Sequence, residues 1–124
     1  MASTYSTGNS KSRRAKWAEI DGRMPWSQLP KVAKHGLTKA EALALNLNLG
    51  EWHHSSTFAN RIEYYSPETI AQVLDGISAD QAKAVAAIKA DFNAWMRADE
   101  TTKGIARLIE SRVDQAWEDA EWTR

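Results

Sequence analysis

Three short strings fix where helices must begin. Thr38-Lys39-Ala40-Glu41 and Ser78-Ala79-Asp80-Gln81 each place a hydroxyl residue three positions before a Glu or Gln. In that pattern the hydroxyl accepts from the third residue's amide, and the longer side chain reaches back to the first. Ser66-Pro67-Glu68 is a third start, with a serine cap, a proline whose missing N–H costs nothing in the first turn, and an acid near the positive end of the dipole.

Apolar spacing predicts how far each helix runs. After Thr38, the residues Ala40, Leu43, Ala44 and Leu47 form a helical stripe, although Leu43, Leu45, Leu47 and Leu49 also alternate with period two. Strong helix formers favour a helix over 38–46, closed by Gly50. Ile70, Val73, Leu74 and Ile77 mark a helix over 67–75 with Gly76 at its exit. A third helix is expected over 79–98, burying Val85, Ile88, Phe92, Trp95 and Met96 on one side. Thr101, Thr102 and Gly104 then interrupt the pattern before Ile105, Leu108, Ile109, Val113, Ala116, Trp117 and Ala120 resume it over 104–121. The last two segments read as an antiparallel hairpin. One kinked helix is the alternative, and it would favour a homodimer over a monomer through coiled-coil pairing.

Between these helices, Glu51 to Thr57 and Arg61 to Tyr65 are rich in aromatic and β-favouring residues and read as two strands. A further short strand is expected over Ala15 to Ile20, before the turn dipeptide Asp21-Gly22. Pro25 and Pro30 break regular structure, leaving a helical turn from Pro30 to Lys34. Residues 1–12 have little to bury and are expected to form a disordered tail. The expected fold is therefore α+β and mostly helical, with a small antiparallel sheet from the Trp17 and Trp52–Tyr65 regions packed on four helices. Residues 13–124 form one domain, since a chain of this length buries about two thirds of its unfolded surface.

The chain contains no cysteine, which excludes disulfide staples, thiolate zinc sites and cysteine nucleophiles. No apolar run approaches the roughly 20 residues needed to cross a bilayer, and "MASTYSTGNS" lacks the apolar core of a signal peptide, so a soluble cytoplasmic protein is expected.

The formal net charge of zero conceals two poles. Residues 1–40 hold eight bases against Glu19 and Asp21, net +6, while residues 67–124 hold eleven acids against seven bases, net −4. Each pole can meet a complementary surface. Six tryptophans are an unusual share for this length, and tryptophan serves interfaces and base stacking as well as cores. Trp95 and Trp117 fall on helical stripes and read as core.

The stretch "GEWHHSSTFANRIEYY", residues 50–65, is the densest in functional side chains. Adjacent histidines suit a metal poorly, because neighbouring residues on a strand point to opposite faces and on a helix lie about 100° apart. The His-Glu-x-x-His spacing is absent, and the only other histidine is His35. A His-Asn-His type nuclease needs a further histidine after Asn60, and none follows. Glycine-rich phosphate loops and nucleophile elbows are also missing. No cofactor and no metal ligand are expected.

Glu51-Trp52-His53-His54, followed by Phe58, Asn60-Arg61 and Tyr64-Tyr65, resembles a segment of small accessory proteins of bacteriophages and mobile elements. That resemblance implies a phage origin, a bacterial host cytoplasm and no particular chemistry. In small size, polarised charge and lack of a catalytic signature, the chain is similar to anti-CRISPR and other anti-defence proteins. The resulting expectation is a non-enzymatic inhibitor that occludes a host protein of nucleic-acid-targeting machinery, in part by nucleic-acid mimicry. Its contact residues would be Trp52, His53, His54, Arg61 and Tyr64, with Glu118, Asp119 and Glu121 as a second patch. The alternative is DNA or RNA binding through Arg13, Arg14, Lys16, Trp17, Trp26, Lys31 and Lys34. A metal-dependent hydrolase is a third reading.

Overall fold

The computed structural model describes residues 23–48, 52–53 and 61–123, with only the backbone described at 52–53, 61–62 and 120–123. The fold is α+β and mostly helical, as expected. The expected tail over 1–12 and strand over Ala15 to Ile20 lie outside the described residues.

All three helix starts form where the caps place them. Thr38 Oγ1 accepts from the Glu41 amide at 3.2 Å and the Thr38 amide donates to Glu41 Oε1 at 2.8 Å, opening α1, Lys39–Ala44. Ser66 Oγ accepts from the Thr69 amide at 3.2 Å and opens α2, Pro67–Val73. Ser78 and Gln81 repeat the reciprocal pair and open α3, Ala79–Lys89. Helix α1 ends before Gly50, because Asn46 adopts a left-handed conformation (φ 59°). The Leu47 amide then reaches back to the Ala42 carbonyl (3.1 Å) and the Asn46 amide to that of Leu43 (3.0 Å). This left-handed cap satisfies the last carbonyls and drops Leu45 and Leu47 into the core, which resolves the competing periodicities. At the end of α2, Gly76 takes φ 76° and Ile70, Val73, Leu74 and Ile77 are all buried.

The helix expected over 79–98 is instead two. Asp91 leaves helical geometry (φ −145°, ψ 117°) and its carboxylate accepts from the Asn93 amide at 3.0 Å, starting α4, Phe92–Arg97. A short acidic side chain that bonds a nearby amide competes with the helical ladder, and here it wins. The break redirects the stripe. Val85 is buried and Ile88 half-buried, but Phe92 and Met96, expected on the same buried side, are 75% and 62% exposed.

The interruption expected over 98–104 is also shorter. Ala98 is extended, and Asp99 Oδ1 accepts from the Thr102 amide at 2.7 Å, so α5 runs Glu100–Thr123 and absorbs Thr101, Thr102 and Gly104. That bond holds the Asp99 carboxyl below its usual range. The expected hairpin is thus a succession of three helices, and the described chain holds five α-helices in place of four. Helix α5 buries Ala106, Ile109, Val113 and Ala116. Leu108 and Trp117, expected in the buried stripe, lie 42% and 41% exposed at its margins.

Strand pairing departs from the expected hairpin. Here β2, Trp52–His53, pairs with β3, Arg61–Ile62, but β4, Tyr64–Tyr65, pairs antiparallel with β1, Met24–Pro25. Proline is tolerated in β1 because a two-stranded ladder leaves an edge that needs no amide. Just beyond it, Trp26 meets Tyr65 edge to face, centroids 5.1 Å apart and planes at 69°. Burial, followed by the negative charge of Glu63, pushes the Tyr65 phenol well above its usual range, so it stays neutral inside the core.

Polar ties lock these elements together. The Lys83 ammonium meets Glu41 at 2.9 Å, joining α1 to α3, and Lys89 meets Glu110 at 2.6 Å, joining α3 to α5. Arg112 Nη1 donates to the carbonyls of Val73 (2.9 Å) and Asp75 (2.8 Å), which α2 leaves without helical partners. His35 Nε2 donates to the Ile77 carbonyl at 2.6 Å, fastening the expected turn at Lys31–Lys34 to the loop before α3.

Candidate functional site

The aromatic and histidine stretch is brought together only in part. The β2–β3 ladder sets His53 across from Arg61 and Trp52 across from Ile62. His54 lies outside the described residues. Tyr64, expected as an exposed contact, is only 2% exposed. It therefore supports the fold and offers no face to a partner.

The basic group fares similarly. Arg13, Arg14, Lys16 and Trp17 lie outside the described residues. Trp26, expected as a stacking platform, is 8% exposed; Tyr65 packs against it in a T-shaped contact and the Lys34 ammonium sits 5.5 Å from its centroid. A base needs an open ring face to stack on, so Trp26 is core. Lys31 is exposed and Lys34 half-buried. Among the described residues no three His, Asp or Glu side chains gather in a way that could hold a metal ion.

The second acidic patch is better defined. Residues 113–123 of α5 contain Asp114, Glu118, Asp119 and Glu121 and no base. Asp114, Glu118 and Asp119 are exposed. Elsewhere several acids are engaged: Glu41 with Lys83, Glu63 with Lys39 (3.0 Å), Glu110 with Lys89, and Glu100 with Lys103 (3.8 Å). Asp119 accepts from Gln115 at 3.1 Å, whereas Asp114 and Glu118 form no ion pair among the described residues. Acids near a helix C-terminus also oppose the macrodipole, which favours cations there. Asp114 and Glu118 therefore gain nothing from an ion pair among the described residues. Positions 114, 118 and 121 share one helical face by their spacing, and Trp117, 41% exposed, stands beside it.

Asp114 and Trp117 were not foreseen as site residues. A usable signal was present, because the acidic excess over 67–124 falls after Arg112. Trp117 was obscured by its place next to Ala116 on an apolar stripe. Compared with family models, curated proteins and solved structures, the chain matches none. No described helix is long and apolar enough to cross a membrane.

Proposed function

We propose that this chain is a binding protein that acts by occluding a basic surface of a partner protein, in the manner of a phage-encoded anti-defence inhibitor. The observation that carries the reading is the acidic end of α5, where positions 113–123 hold four acids and no base around a part-exposed tryptophan. Along the face of positions 114, 118 and 121 the charges recur at about 5 Å of helix axis, the same order as the 3.4 Å axial spacing of phosphates along one DNA strand. A nucleic-acid channel is the kind of surface such a face would fit. Trp117 supplies a desolvating contact of the type that dominates interface energies. The part played by Trp52, His53, His54 and Arg61 remains the same proposal for a second contact.

The test is capture from bacterial lysate, with and without nuclease, by the wild-type chain and by Glu118→Lys/Asp119→Lys/Glu121→Lys. The expected result is a protein partner that survives nuclease, is released by salt and is lost in the triple variant. Capture that needs nucleic acid, or that the triple variant retains, would overturn the reading.

A further inference from the structure

We draw no further inference here: the strongest candidate, the exposed apolar pair Phe92 and Met96 on the six-residue helix α4, carries nothing because nothing in the structure shows what covers it.

Discussion

Helix α5 divides near Arg112 into two halves built to different ends. Up to that residue all its charges but the exposed Arg107 are tied into the fold: Glu100 pairs with Lys103, Lys103 lies 5.9 Å from the Trp95 ring, Glu110 meets Lys89, and Arg112 holds the carbonyls that end α2. Past it, the buried stripe continues through Val113 and Ala116, but the outward residues are acids of one sign. The contrast separates two uses of a charged side chain. A charge that builds the fold has an opposite charge or a backbone group in reach; Asp114 and Glu118 have no ion pair among the described residues, which leaves them open to a partner.

The largest test of this division lies in the core side of the first half. Ile109 is 1% exposed, so Ile109→Ala should cost about 2–5 kcal/mol by lost burial and the cavity left behind. Leu108, one position away but 42% exposed, should cost no more than about 0.5 kcal/mol when changed to Ala. Urea unfolding of both variants checks the pair. Comparable losses would mean that the buried face of α5 is misassigned.

Arg112→Ala comes next. It leaves the Val73 and Asp75 carbonyls without their shared donor, and a bond to a charged donor is worth about 1.5–3 kcal/mol. Asp75 is exposed and water can replace the guanidinium there, so the expected loss is near about 1.5 kcal/mol, the lower end of that range. An unchanged melting temperature would remove Arg112 from the fold-building half.

How much of this was legible depends on how local each cause is. The caps at Thr38, Ser66 and Ser78 act within three residues, and every helix start they imply is present. The break at Asp91 was hidden because Val85, Ile88, Phe92 and Trp95 keep helical spacing straight across it. Period alone cannot tell one helix from two that happen to share a phase. Pairing of Tyr64–Tyr65 with Met24–Pro25 joins segments about forty residues apart, and no turn signal reports such a contact. The same limit applied to the site: Tyr64 and Trp26 carry residue types suited to binding, but their burial is set by that distant pairing.

A paired acid should also announce itself in acid. The Lys83 ammonium, followed by the Thr38 amide, holds the Glu41 carboxyl below its usual range. A carboxyl lowered in the folded state contributes stability above its unfolded value, about 4.3, and that contribution disappears as pH falls through the lowered value. Lys83→Ala removes the larger cause, so its acid unfolding should begin at higher pH than that of the wild type. Thr38→Ala should cost about 1 kcal/mol at neutral pH through the lost cap. Coincident acid melts for Lys83→Ala and wild type would show that Glu41 gains nothing from its partner.

The smallest expected effect has the opposite sign, and for that reason it cuts most cleanly between the two halves. Replacing Glu118 by lysine puts a cation toward the negative end of the α5 dipole, where an exposed cation is worth about 0.3–1 kcal/mol in the last turn and less one turn further in, where Glu118 stands. Glu118→Lys breaks no ion pair among the described residues. Glu118→Lys alone should therefore hold or slightly raise the melting temperature, while slowing association with a basic partner more than it speeds dissociation. Mutations that weaken binding by damaging the fold cannot give that combination. If Glu118→Lys lowers the melting temperature by several degrees, the acid belongs with Glu41 and Glu110 as a builder of the fold. In that case the second half of α5 has no claim to be a reserved surface.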